Sequence, residues 1–331
     1  MPGSQETVNL SNTTSNGNRA RLPEVGWLIA WNVMATLTVV FNLVNIIIIS
    51  AKQRLRNFTH IIMASMFTAD ILFALTYLYP RFGHPSQGRD HWLYCTLMYN
   101  ISPTIIISIN LHLLAVSIDK LIAIESPVFY RKNSKPVYAL LNVVAIWASS
   151  LILGFLPVMT FRPLVPGACI FWNMKEIDRE MTYTVIHVIL FYILPFIIMT
   201  FVYIRLFCAA KSFSLRLAKK HAIYHVHQPV VRQNSTSKRH YKTAKVLAIL
   251  VSTYFVMWTP YYVYYLLFIF VPWTVLSKLR GIVYFLTYTR YMAFSYPAVN
   301  AILYGYLIKD VRITLYHCLS AKIRQDSLRR S

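Results

Sequence analysis

Seven apolar stretches, each long enough to cross a lipid bilayer, constrain this chain more than any other feature. They cover residues 25–51, 59–80, 91–118, 137–159, 181–204, 246–277 and 281–308. Five of them contain no Asp, Glu, Lys or Arg; the second holds Asp70 alone and the seventh Arg290 alone. A membrane helix needs about 20 apolar residues. In lipid the backbone must satisfy its own hydrogen bonds, so such a run folds as a helix. Pro157, Pro195 and Pro260 fall inside these runs. They would break a soluble helix, but in a membrane neighbouring helices and water take up the freed carbonyls.

Composition agrees. Of 331 residues, 56% are hydrophobic and 13% charged, with mean hydropathy +0.48; a soluble domain carries about 25% charged residues. The expected class is an all-α membrane protein. The net charge of +22 does not point to nucleic acid, because the charges flank apolar runs and do not interleave with exposed aromatics. It reports topology. Outside the runs, and leaving aside Lys120 and Arg205 at helix ends, 21 Lys and Arg fall on the side that is cytoplasmic if the N-terminus is outside, and 9 on the other. Basic residues collect in cytoplasmic loops and beside anionic lipid, so the expectation is N-terminus extracellular, C-terminus cytoplasmic, multi-pass in the plasma membrane, with membrane lipids as partners.

Residues 1–24 are polar, read as a disordered extracellular leader, and lack an apolar signal core. The first membrane helix is therefore expected to act as the signal. The leader carries glycosylation sequons at Asn9 and Asn12; those at Asn57, Asn100 and Asn234 fall in expected cytosolic or membrane segments and are read as chance. Four cysteines without a CxxC pattern exclude a disulfide scaffold and zinc or thioredoxin-like chemistry. No HExxH, GxSxG or paired carboxylate is present, so neither an enzyme nor a cofactor is expected. Nine glycines and no repeat disfavour a transporter or channel.

At the end of the third run an acid and a base stand side by side in Ser117-Ile118-Asp119-Lys120-Leu121-Ile122-Ala123-Ile124-Glu125-Ser126-Pro127. Other markers are Asn42 and Leu55-Arg56, Ala69-Asp70, Cys95, Trp147 and Pro157, Pro195 and Tyr203, Met257-Trp258-Thr259-Pro260, and Asn300-Ala301-Ile302-Leu303-Tyr304 followed by Lys309-Asp310-Val311-Arg312. Fourteen residues separate Asn42 from Arg56, and fourteen more separate Arg56 from Asp70. With these markers in place, the chain from about Trp27 to Cys318 resembles the rhodopsin-like (class A) G protein-coupled receptors. The resemblance implies a seven-transmembrane helix bundle over residues 25–308. Residues 309–331 would form a short amphipathic eighth helix and a cytoplasmic tail.

It also implies a receptor that binds an extracellular ligand in a transmembrane cavity and activates a heterotrimeric G protein. Ser102, Ile106, His187, Trp258, Tyr261, Tyr262, Tyr265, Arg290 and Tyr291 are the expected ligand residues. Trp258 and Pro260 would make a kink with a large ring beneath the cavity; part of the surrounding tyrosine cluster is expected to face lipid. Arg290 has two readings. It pairs with Asp90, Glu176, Asp178 or Glu180 from the loops, or it anchors an anionic or carboxylate-bearing ligand. Amine receptors of this family carry Asp where this chain has Ser102, and opsins carry the retinal lysine where it has Phe294, so neither a monoamine nor retinal is favoured. Cys95 and Cys169 are expected to form a disulfide. Cys318 is either palmitoylated or a plain thiol.

A charge in mid-membrane is expensive unless paired or hydrated, which marks Asp70 as functional. In the family it binds sodium, the metal candidate here, with helpers at positions that are now Ile109, Tyr296 and Pro297. The other reading is an interhelical polar clasp with Asn42 and Asn300. At the cytoplasmic end, Asp119, Lys120, Tyr203, Tyr304, Lys242 and Lys245 are the expected coupling and switch residues. The family usually has Asp-Arg-Tyr where this chain has Asp119-Lys120-Leu121. Lysine lacks the planar fork of arginine. Ala301 replaces the usual proline, and His240 replaces an acid that latches the third and sixth helices in many relatives. The alternative is accordingly a receptor-like protein that binds ligand with weak or no G-protein coupling.

Overall fold

The computed structural model describes residues 17–55, 57–83, 92–133, 135–162, 174–223, 231–271, 275, 278, 281–309 and 311–316. The described residues are helical almost throughout and contain no strand. The elements are α1 Gly17–Ala51, α2 Phe58–Phe73, α3 Trp92–Glu125, α4 Pro127–Asn133, α5 Pro136–Thr160, α6 Ile177–Val188, α7 Leu194–Ile223, α8 Val231–Phe270, α9 Ile282–Leu307, and a last short helix, α10, over 311–316. Wide turns prolong α2 through Ala74–Gly83 and join α6 to α7 through Ile189–Ile193. Both lie at a proline. Pro80 sits inside the first and Pro195 just beyond the second. Proline has no N–H and its ring crowds the carbonyl four residues back, so the chain loosens to a wider turn there.

Seven rods result: α1, α2, α3, α5, the α6–α7 rod, α8 and α9. Six segments are long and apolar enough to cross a membrane: Val25–Ala51, Phe58–Phe82, Asn100–Glu125, Pro136–Thr160, Ile177–Ala209 and Lys245–Leu267. The seventh rod, α9, has 26 residues, about 39 Å at the helical rise. It is less apolar because it carries Arg290 and six tyrosines. The expected bundle is therefore present.

Its boundaries differ from the hydropathy reading in three places. α1 begins at Gly17, so 17–24 of the leader are helical where irregular chain was expected; 1–16 lie outside the described residues. α7 and α8 run on past the apolar stretches to Ile223 and back to Val231. Between α3 and α5 stands α4, a short helix opened by Pro127, where proline's fixed φ suits a first turn. In α10, Val311 is buried and packs on the core together with half-buried Leu315, while Arg312, Ile313 and Tyr316 are exposed. That is the one-sided pattern expected of the eighth helix.

α3 is the hub, packing on α2, α5, α7 and α8, while α1 closes the ring against α2 and α9. Backbones approach closely at Gly154 of α5. A Cβ there would fall inside the Thr104 side chain and 2.7 Å from its Cα, so only glycine lets these backbones meet. Polar side chains stitch the ring. Asn42 donates to the Pro297 carbonyl at 3.2 Å and Asn45 to the Ala301 carbonyl at 2.8 Å. Trp147 of α5 and His112 of α3 both reach Ser65 of α2, at 3.0 and 2.9 Å. Gly281, with φ +84°, caps α9 in a left-handed conformation suited to glycine.

Candidate functional site

Two regions concentrate polar groups, one toward the Arg290 end of the bundle and one at the Lys120 end. Toward Arg290, Trp258 of α8 is almost fully buried and lies against Tyr254, Tyr261, Tyr262 and Phe294. Tyr261 stacks on Tyr265, and Tyr262 stacks on Tyr192 with centroids 4.1 Å apart. Below Trp258, Asn110 of α3 donates to the Tyr254 hydroxyl at 2.5 Å and to the Ile106 carbonyl at 3.1 Å. α3 and α8 are thereby tied beneath the tryptophan.

Arg290 joins the same nest. Its guanidinium stands 5.9 Å from the Phe82 ring centroid, and Phe82 and Trp258 both approach Phe294. Such a stack holds a cation without neutralising it. Of the four acids weighed as partners, Glu180 is taken by Arg162 through two hydrogen bonds at 2.7 and 2.5 Å. Glu176 pairs with Arg179 at 3.3 Å, and Asp90 lies outside the described residues. Among the described residues, Arg290 makes no ion pair.

The expected ligand residues do not all gather here. Ser102, Ile106 and His187 are each 8% exposed; His187 lies between Tyr183 and Phe191 along its own rod. Tyr291 packs elsewhere. Its ring stacks on Trp31 and Trp27, and its hydroxyl donates to the Trp27 carbonyl at 3.1 Å. It belongs to the seam between α9 and α1. The Cys95 side chain, Cys169, Asn9, Asn12 and Cys318 lie outside what is described.

Midway, Asp70 is fully buried. Its two oxygens, both side-chain polar atoms of Asn300, Asn42 Oδ1 and the Tyr296 hydroxyl have no hydrogen-bond partner among the described residues. One carboxylate with amide and phenol oxygens is a donor set that suits water or a hydrated monovalent cation. Of the helper positions, Tyr296 keeps an oxygen, whereas Ile109 and Pro297 supply no side-chain donor.

At the Lys120 end, the two residues singled out in the sequence are nearly buried, Asp119 at 5% and Lys120 at 3% exposure. Lys120 donates to Asp119 Oδ2 at 2.7 Å and to the Thr59 hydroxyl, and Thr59 donates to the same Asp119 oxygen at 2.7 Å. Next to Thr59, His60 Nδ1 shares a 2.5 Å hydrogen bond with the Tyr304 hydroxyl. Tyr203 pairs with Ser117 at 3.2 Å. Arg205 reaches Glu125 at 2.8 Å across the exposed α7–α3 edge. Lys245 is exposed; the side chains of Lys242 and His240 lie outside what is described. Sequence reasoning missed Thr59, His60 and the Arg162–Glu180 pair. Each acts between separate helices, and hydropathy carries no signal for such pairs.

Residues 41–304 match the sequence profile of a family described as 7 transmembrane receptor (rhodopsin family). The chain is 25% identical to the histamine H2 receptor of Rattus norvegicus over 85% of its own length and 76% of that receptor's. It is 23% identical to the 5-hydroxytryptamine receptor 4 of Rattus norvegicus, covering 91% of this chain and 78% of that one. Against the octopamine receptor beta-1R of Drosophila melanogaster it is 22% identical, over 82% of this chain and 57% of the relative.

Proposed function

Since the chain belongs to the rhodopsin family of seven-transmembrane receptors, we propose that it is a cell-surface receptor for a small anionic ligand, which it binds above Trp258 and answers by engaging a heterotrimeric G protein. It is a receptor and not an enzyme. The N-terminus faces outward, with glycans on Asn9 and Asn12 and a Cys95–Cys169 disulfide across the cavity mouth. The C-terminus is cytoplasmic, with a palmitoyl group on Cys318. Domain limits are 1–24, 25–308 and 309–331. Asp70 is the residue that would hold sodium, and it does so weakly, since Ile109 and Pro297 supply no side-chain donor.

Arg290 carries the reading of the ligand. It stands in the aromatic nest without an acid among the described residues, and Ser102 occupies the place of the amine-binding carboxylate. The relatives named above are receptors for histamine, 5-hydroxytryptamine and octopamine, all amines. An amine here would meet Glu180 only after displacing Arg162 from a buried, two-point bond. A guanidinium on a ring face suits a carboxylate, which it can grip at two points. Trp258, Tyr261, Tyr262 and Tyr265 supply the apolar walls.

The second reading, ligand binding with weak coupling, rests on Lys120 and Ala301. Lys120 cannot stack or fork as arginine does. The experiment is a screen of small carboxylates and amines in cells with a second-messenger readout, repeated on Arg290→Gln. A carboxylate agonist that loses about tenfold or more in potency with the variant, as loss of a charge-assisted hydrogen bond predicts, supports the proposal. An amine agonist indifferent to Arg290→Gln overturns it.

A further inference from the structure

The Lys120 end holds two contacts that meet on one helical turn. α2 starts at Phe58, with Asn57 as its cap; the Asn57 side chain accepts from the His60 backbone N–H at 3.2 Å and fixes that turn. Thr59 and His60, adjacent on it, point to different helices. Thr59 closes a three-membered ring of hydrogen bonds with Asp119 and Lys120 of α3. His60 bonds Tyr304 of α9, whose ring also packs edge-on against Phe67. Thr59 is 4% exposed, His60 7% and Tyr304 1%.

We infer that this first turn of α2 is a latch: Thr59 and His60 are positioning residues that hold both switch elements, Asp119–Lys120 and Tyr304, in the resting receptor. The inference rests on the receptor reading above and deepens it. An ammonium has three donors and no fork. Alone against Asp119, Lys120 would make a single flexible contact; the Thr59 hydroxyl gives its second donor a fixed target and orients the carboxylate by donating to it. The other arm works by burial. Tyr304 has almost no contact with water, so releasing His60 leaves a phenol hydroxyl unpaired until Tyr304 moves. Because both arms spring from one turn, fraying it frees the Lys120 side chain and α9 together.

The test uses the full-length receptor and two pairs of variants. Thr59→Val keeps the shape and removes the hydroxyl, whereas Thr59→Ser keeps it. His60→Phe keeps the ring and removes its nitrogens, whereas His60→Asn keeps a polar atom within reach of Tyr304. At matched surface expression, agonist-free nucleotide exchange should rise about two- to tenfold in Thr59→Val and His60→Phe, the range one lost hydrogen bond allows. It should stay near wild type in Thr59→Ser and His60→Asn. A second readout needs no G protein. Spin labels at Lys52→Cys, just past the end of α1, and Tyr306→Cys, near the end of α9, both exposed positions, in a background with Cys208→Ser and Cys318→Ser, report the displacement of the α9 end relative to α1. His60→Phe should lengthen or broaden the distance between the labels and His60→Asn should restore it.

If both readouts stay at wild-type values in all variants, the latch is refuted. If Ser and Asn behave like Val and Phe, the role is packing and the latch is likewise refuted. If exchange is silent throughout while the labels move as expected, the latch stands and the coupling reading fails.

Discussion

Arg162 and Glu180 face each other squarely, Nε to Oε1 at 2.7 Å and Nη2 to Oε2 at 2.5 Å, with side-chain exposures of 7% and 0%. The pair clamps the chain just beyond α5 to the first turn of the α6–α7 rod. Each charge answers the other's desolvation, so removing one is worse than removing both. Arg162→Met alone should destabilise the folded receptor by about 3–5 kcal/mol. Arg162→Met with Glu180→Leu should recover most of that loss. Thermal denaturation of the purified receptor reads both; equal losses in the single and double variants would show that the pair is not the clamp.

In the proposed function, Lys120 sets the strength of coupling. At rest its ammonium is spent on Asp119 and Thr59. Once released it offers a point charge where a guanidinium would stack and fork. Wild-type receptor should therefore activate G protein weakly, and Lys120→Arg should raise agonist-driven signalling a few-fold at equal surface expression, on the order of 1 kcal/mol. Asp119→Asn, which weakens the hold, should raise the agonist-free signal. Silence of wild type and Lys120→Arg alike, with agonist bound and every major G-protein class offered, would leave only the binding reading.

Asp70 sits in the membrane's middle with no hydrogen-bond partner for either oxygen among the described residues. A charge so placed is costly, and a neutral amide of the same shape is not. Asp70→Asn should leave the melting temperature unchanged or raise it by a few degrees. Added sodium should have little effect on wild type, since Ile109 and Pro297 supply no side-chain donor. A lower melting temperature in Asp70→Asn, together with sodium-dependent stabilisation of wild type, would instead reveal a resident cation.

Orientation is tested by glycan mapping in animal cells. Asn9 and Asn12 should carry glycan and Asn57 should not, because Asn57 flanks a basic loop expected to be cytoplasmic. Replacing both Asn9 and Asn12 with Gln should abolish the slower-migrating band. A band that persists would reverse the topology argument drawn from the basic loops.

Much of the fold was legible because lipid is an uncompromising solvent. An uncharged run such as 181–204 has little choice but to be a helix. The same logic fails beyond the bilayer, which is why the start of α1 at Gly17 and the length of α8 back to Val231 escaped it. Asn42 was singled out through the family resemblance, and it bonds across helices, at the Pro297 carbonyl. Neighbours on a helix point about 100° apart, so Arg290 takes the nest and Tyr291 the α1 seam, a division that hydropathy does not show. Thr59 and His60 were invisible, since nothing in the text of α2 says which helices will stand beside its first turn.

Gly154 has a consequence for how this bundle can move. With only a hydrogen between them, α5 and α3 touch backbone to backbone at Thr104, and the Thr104 side chain sits in the notch that the glycine leaves. Two rods engaged in this way resist both axial sliding and rotation, because either motion drives the threonine into main-chain atoms. α3 and α5 therefore behave as the stator of the machine. Whatever displacement a ligand produces above Trp258 must be carried by the rods that lack such an interlock, α8 and α9 foremost, pivoting against a partner that stays still.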